Sequence, residues 1–176
     1  MPKPDITYIP AFYQNYVHLV REEDLADALE NSARAAEELF YSIPEDQWSF
    51  RYAPGKWSIS DMLQHLVDAE RIFCYRALRF ARKDTTPLPG FDENDYAATA
   101  GADQRTKSDL MEEFAAVRRA TVLLFGSFRD EQVNATGVAN QQEISVSAIG
   151  FVIAGHLWHH MNVVRERYLP AMEAKV

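Results

Sequence analysis

The sequence predicts an all-α protein, a four-helix bundle with long connecting loops, on three observations. Four segments repeat apolar residues every three or four positions, capping residues or prolines mark their ends, and no convincing run alternates apolar with polar residues as a half-buried strand would. With 176 residues, 47% hydrophobic and 25% charged, the chain has the length and composition of one globular domain spanning 1–176.

The first segment, Glu22 to Ile43, places Leu25, Leu29, Ser32, Ala36, Leu39 and Ile43 on one face, and Pro44 closes it. The second runs from Ser58 to Arg82. Ser58 and Asp61 nearly match a capping box, and Ile59, Met62, Leu66, Ala69, Phe73, Ala77 and Phe80 form its stripe. The third, from Thr106 to Phe128, carries Leu110, Phe114, Val117, Thr121, Leu124 and Phe128, with Glu112, Glu113, Arg118 and Arg119 expected to face outward. The fourth begins at Ser145 and ends at Tyr168, two residues before Pro170, with Ile149, Ile153, His156, His160, Val163 and Arg167 in line.

The connections Pro44 to Trp57, Lys83 to Arg105 and Arg129 to Ile144 exceed the roughly two to eight residues usual between bundle helices. Loops this long can cross a bundle end, which allows a non-consecutive helix order. The middle one, rich in Pro, Gly, aromatics and acids, is a lid candidate.

Eighteen Lys and Arg against 26 Asp and Glu give a formal charge of −8, which repels phosphate backbones and anionic headgroups and argues against nucleic acid and membrane partners. The stretch Ser145 to Val164 contains no Asp, Glu, Lys or Arg. Its three histidines, Asn, Ser and Gly residues nonetheless fit a buried helix of a soluble protein better than a membrane span. The first residues lack the basic and apolar regions of a secretory signal, and the single cysteine, Cys74, allows no internal disulfide; both predict a cytoplasmic protein.

Within that charge-free helix, His156 and His160 project from one face about one turn apart, close enough to grip one ion, whereas His159 is rotated about 100° from His160. A third ligand must come from a facing helix, and His65 is available on the second. Three neutral imidazoles would leave a coordination position open, as catalytic metal sites do. The alternative is that these histidines only satisfy neighbouring carbonyls or carboxylates. His18 precedes the first helix without a partner in the sequence. Asp68, three residues after His65, is placed to orient an imidazole or accept a proton, or else is a solvated acid. Cys74 lies two and a half turns from His65 and reads as a buried structural thiol. Di-iron Glu-x-x-His pairs, the zincin motif, Gly-rich phosphate loops and the Gly-x-Ser-x-Gly elbow are missing.

From about Leu25 to Met172 the sequence resembles the DinB/YfiT-like superfamily of four-helix-bundle metalloenzymes. The matching pieces are RYAPGKWSISDMLQHLVDAERIF around His65, PLPGFDEN in the middle connection, and AGHLWHHMNVVRERYL around His156 and His160. The resemblance implies that His65, His156 and His160 bind a divalent metal such as zinc or nickel. It further implies one of two chemistries, metal-dependent hydrolysis of a small molecule or transfer and isomerisation with a low-molecular-weight thiol; a metal-binding bundle without turnover is the remaining alternative. Hydrolysis is placed first, with Asp68 as proton acceptor. Arg71, Arg76 and Arg167 are the basic residues on the ligand-bearing helices that could hold the carboxylates of a thiol cofactor. Family similarity, with the aromatic arm Tyr8, Phe12, Tyr13 and Tyr16, also points to a homodimer, packing of the arm onto its own bundle being the alternative.

Overall fold

In the computed structural model, which describes residues 1–174, a 3-10 turn at Ile6–Tyr8 leads into a short helix that periodicity did not predict, α1 (Ala11–His18). Then come the four expected helices and the pieces between them. The first of the four is α2 (Leu25–Ser42), where Asp24 accepts a hydrogen bond from the Ala26 N–H. In the next, α3 (Ile59–Ala81), the capping box is complete: the Ser58 hydroxyl accepts from the Asp61 N–H and the Asp61 carboxylate from the Ser58 N–H. A short helix, α4 (Glu93–Ala100), lies in the middle connection, followed by α5 (Lys107–Gly126), capped by Thr106.

The third connection folds into one turn of helix, α6 (Asp130–Val133), and a hairpin, β1 (Thr136–Ala139) against β2 (Gln142–Ser145). Its turn residues Asn140 and Gln141 both have positive φ, the geometry of a type I′ turn, without the glycine that usually announces one. Ser145 then caps α7 (Val146–Val163). Beyond it the helix continues as a π turn over Val164–Tyr168, with the Leu169 N–H reaching back to the Val164 carbonyl, and ends in α8 (Leu169–Glu173). Pro170, with no N–H of its own, therefore opens the last helix turn instead of stopping the chain.

The helix order is not that of a simple up-and-down bundle. The long helix α2 packs on α7 and α5, and α3 packs on the same two, so α2 and α3 stand diagonally across the bundle despite following one another in sequence. The long loops make this possible. α1 lies along α7, and the middle connection is pinned to the hairpin: the Leu88 N–H bonds to the Val138 carbonyl and the Asn140 N–H to the Leu88 carbonyl. The expected lid is thus half anchored loop and half helix.

Every residue of the predicted α3 stripe is buried, and so are Leu25, Leu29, Ser32, Ala36 and Leu39 of α2. On α5 the expectation fails at Arg118, which does not face water. It is 4% exposed and forks onto Glu70 of α3, both contacts at 2.8 Å, while its third nitrogen donates to Ser32 and to the Leu29 carbonyl. An arginine can occupy that face only because every one of these partners is brought to it. The buried apolar residues fall into two clusters, one holding Ala69, Phe73 and Ala154 and the other Leu66, Leu157 and Met161. Histidines 65, 156 and 160 interrupt the same helix faces at the seam between them. Among the described residues no helix is long and apolar enough to cross a membrane.

Candidate metal centre

Two helices from opposite ends of the sequence meet with imidazoles instead of hydrocarbon between them. His65 comes from the second turn of α3, held by the capping box at Ser58 and by the preceding turn, in which Gly55 adopts positive φ. His156 and His160 come from the middle and last turns of α7, where their four-residue spacing stacks them on one face. Nε2 of His156 lies 3.1 Å from Nε2 of His65 and 3.0 Å from Nε2 of His160, and all three rings offer a ligand atom within 4.8 Å of one another. His159 is left out, as the helix geometry requires: it is exposed, edge-on to Tyr16.

The nitrogens face each other and nothing else. Among the described residues, no carbonyl or carboxylate takes a hydrogen bond from any of the three rings, and Nδ1 of His160 is buried without a partner. Histidines that merely satisfied the core would show such partners. Burial pushes the His65 ring down to about 4 and holds His156 and His160 well below the ordinary histidine range, with repulsion from neighbouring histidines, His159 among them, adding to it. The cluster is therefore neutral at physiological pH, the state in which an imidazole has a lone pair to give. Nitrogens bound at about 2.0–2.1 Å around a tetrahedral ion stand roughly 3.3 Å apart, and the spacings from His156 to His65 and to His160 fall within a few tenths of an ångström of that. The donor set fits a divalent metal.

The cluster lines a cavity of about 270 Å³. Trp57 lies against His65, Tyr16 against His156, and Phe12, Tyr13 and Phe73 supply more aromatic wall. The middle connection adds Gly90, Phe91 and Glu93, and the hairpin turn adds Asn140. Arg76 is the arginine on this wall. It is buried, donates to the Pro89 carbonyl at 2.9 Å and lies over the Phe73 ring. Glu93, at the start of α4, is the acid on the wall; burial, with the Glu93 charge added, raises the Tyr16 phenol.

Asp68 is placed elsewhere. Its carboxylate accepts from Gln64 at 3.0 Å and stands 3.9 Å from Arg71, in a network with Arg105 and Glu113 that joins α3 to α5 and does not line the cavity. Of the basic residues singled out in the sequence, Arg71 belongs to that network and Arg167 reaches the hydroxyl of Tyr52, which leaves Arg76. Glu93 and Asn140 escaped sequence reasoning because both lie in connections whose fold no periodicity reveals. Cys74 faces Thr121, 3.2 Å away, on the α5 side of α3. Of the aromatic arm, Tyr13 is buried and Tyr16 half-buried against the bundle, while Tyr8 and Phe12 remain exposed.

Residues 28–164 match the family model described as the DinB superfamily. A protein of Oceanobacillus iheyensis named "Putative metal-dependent hydrolase" is 25% identical over 122 residues, 68% of this chain and 69% of its own. Among solved structures, YfiT from Bacillus subtilis, described as a probable metal-dependent hydrolase with an unusual four-helix bundle topology, superposes with a TM-score of 0.65 at 16% identity, over 93% of this chain and 90% of that one. A mycothiol-dependent maleylpyruvate isomerase superposes with a TM-score of 0.67 at 10% identity, over 90% of this chain but only 62% of its own. At these identities the two structures speak for the fold.

Proposed function

This chain belongs to the DinB superfamily, and from that footing we propose that it is a metal-dependent enzyme which hydrolyses a small molecule in the cavity above His65, His156 and His160. The observation that carries the proposal is the convergence of three neutral ring nitrogens that have no other partners. A divalent ion, zinc or nickel, held there would polarise a substrate carbonyl and lower the pKa of a water that it binds.

The chain's own residues divide the remaining work. The aromatic walls exclude bulk water, which strengthens every charge interaction inside. Arg76 is already desolvated and oriented by the Pro89 carbonyl, so it fits an anionic group on the substrate. The proton-accepting role expected of Asp68 passes to Glu93, because the Asp68 carboxylate is engaged by Gln64 and Arg71 outside the cavity, whereas Glu93 stands on its wall.

A second reading, a thiol-dependent transferase or isomerase, draws on Arg76 and Asn140 together: a cation and an amide on one wall suit the carboxylates and amides of a low-molecular-weight thiol. Elemental analysis of the purified protein, followed by turnover of an ester and amide panel with and without added thiols, separates the two. Turnover without thiol supports hydrolysis, and strict dependence on a thiol rejects it. Exposed Tyr8 and Phe12 are the surface that a second copy would cover in a homodimer, and light scattering tests that assembly.

A further inference from the structure

A second and larger cavity, of about 620 Å³, lies between the end of α1, α2 and the opposite side of α7. Its α7 residues are Trp158 and Asn162, followed by Arg165 in the π turn; at 100° per residue they point away from the face that carries His156 and His160. This cavity is therefore separate from the histidine centre, although the same helix forms a wall of both.

Its lining is built from opposite charges that leave each other alone. Arg21, Arg34 and Arg165 contribute three guanidinium groups and Glu22 and Glu38 two carboxylates, yet no ion pair joins any of the three arginines to an acid among the described residues. Arg34 donates to the Asn31 side chain; the guanidinium groups of Arg21 and Arg165, both on exposed residues, have no hydrogen-bond partner among those residues. In a protein of net charge −8 with eight more acids than bases, unpaired arginines at one cavity are a local reversal.

Two further atoms in the same lining are incomplete. Nε1 of Trp158, a donor, and Oε2 of Glu22, an acceptor, are both buried without a partner, while the other Glu22 oxygen accepts from Asn31 at 2.9 Å. A donor and an acceptor left open in one lining fit a ligand that offers both an acceptor and a donor. A simple anion would answer the arginines and Trp158 but would be repelled by Glu22 and Glu38. A simple cation fails in the opposite way.

We propose that this cavity is a second binding site, for a small zwitterion of the amino-acid or short-peptide type. Its carboxylate is met by Arg21, Arg165 and the Trp158 indole, and its ammonium by Glu22. The volume suits such a molecule, since small-molecule sites run from roughly 300 to 1,000 Å³. This site does not depend on the metal or on the reaction assigned to the histidines.

The chain contains only three tryptophans, so the indole N–H signals of a ¹⁵N-labelled sample read the site directly, with Trp158→Phe identifying the resonance. The probes are the twenty amino acids and a set of dipeptides, with acetate and ethylamine as single-charge controls. The expected result is a saturable shift of the Trp158 signal by at least one zwitterion, with Trp48 unmoved and both single-charge controls silent. Arg165→Gln and Glu22→Gln, whose side chains are not core residues, should each weaken that binding roughly tenfold while leaving the other indole signals in place. Absence of any shift at about 10 mM overturns the proposal, as does an equal shift by acetate or unchanged binding in both variants.

Discussion

Nε2 of His65 lies 3.1 Å from Nε2 of His156, although 91 residues separate the two in the chain. No local spacing brings them together; the diagonal helix order does, by setting α3 beside α7. If the pair and His160 form one ligand set, His65→Ala, His156→Ala and His160→Ala should each lower metal content at least tenfold, and His159→Ala and His18→Ala should leave it unchanged. Elemental analysis of the folded variants decides this. Equal loss from His159→Ala would mean that the wrong face of α7 has been assigned.

Metal should also stabilise the fold, because the three rings are gathered only in the folded chain. At a free ion concentration a hundred times the dissociation constant the gain is about 2.7 kcal/mol, worth several degrees in melting temperature for a chain of this length. A chelator should lower the melting temperature of wild type and leave that of His156→Ala unmoved. Equal responses would place the metal elsewhere.

The same rings make the metal-stripped protein sensitive to mild acid. Folded, they are held neutral by burial, His65 down to about 4, whereas the unfolded chain takes protons near the ordinary histidine value of about 6.5. Because the folded pKa lies below the unfolded one, the stability is fully present above about pH 6.5 and is lost as the pH falls from there toward about 4. Urea midpoints of the stripped protein should decline across that window, and less steeply in a His65→Leu variant, which removes one of the titrating groups. Parallel profiles would contradict the burial assigned to His65.

How far the sequence carried this structure depended on whether a signal was periodic. The four long helices were legible because their apolar faces repeat over several turns, and Ser58, Thr106 and Ser145 mark their starts where the backbone uses them. The pair His156 and His160 was legible for the same reason, since a helix converts a four-residue spacing into a shared face, whereas His65 rests only on being a histidine available on a facing helix and on the family resemblance. α1, α4 and the hairpin were not, since eight residues or fewer show too little periodicity, and the turn at Asn140 and Gln141 lacks glycine. Arg118 misled in another way, because its charge was read as exposure when the partners that allow its burial, Glu70 and Ser32, come from two other helices.

That buried pair should be a sensitive point of the fold. Arg118 and Glu70 are each about 95% buried, and their forked contact has no access to the water that would rescue a widowed charge. Glu70→Ala should cost about 3–5 kcal/mol by leaving the guanidinium uncompensated. The exposed pair Lys83 and Glu131 offers the contrast, and Lys83→Ala should cost far less. Urea denaturation of both variants tests the ranking, and comparable losses would refute it.

Cys74 should behave as an inert thiol. Burial pushes it up to about 11, outweighing the Thr121 hydroxyl, so almost no thiolate exists at neutral pH. A thiol reagent at about pH 8 should label the native protein at least a hundredfold more slowly than the protein in denaturant, where the thiol returns to its ordinary range. Rapid native labelling would show that the α3–α5 face opens.

Gly155 ties the outer helix to the histidine centre. A Cβ built on it would fall 2.0 Å from the backbone carbonyl oxygen of Tyr16, and a carbonyl in α1 cannot swing aside as a side chain can. The close approach seats α1 against α7, which puts the Tyr16 ring 5.3 Å from His156 and closes one wall of the cavity. In Gly155→Ala the methyl must lift α1, while α7, a helix interior, gains the alanine's higher helix propensity of about 1 kcal/mol. α1 is not one of the four long helices, although its Tyr13 and Val17 are buried against them, so the variant should remain helical and bind metal through the three histidines. Turnover should fall sharply as water enters over Tyr16, and amide exchange should rise in residues 11–18 ahead of the rest. Unchanged exchange in α1 would show that the contact carries no such role, and loss of metal along with turnover would show that α1 holds the ligands as well as the wall.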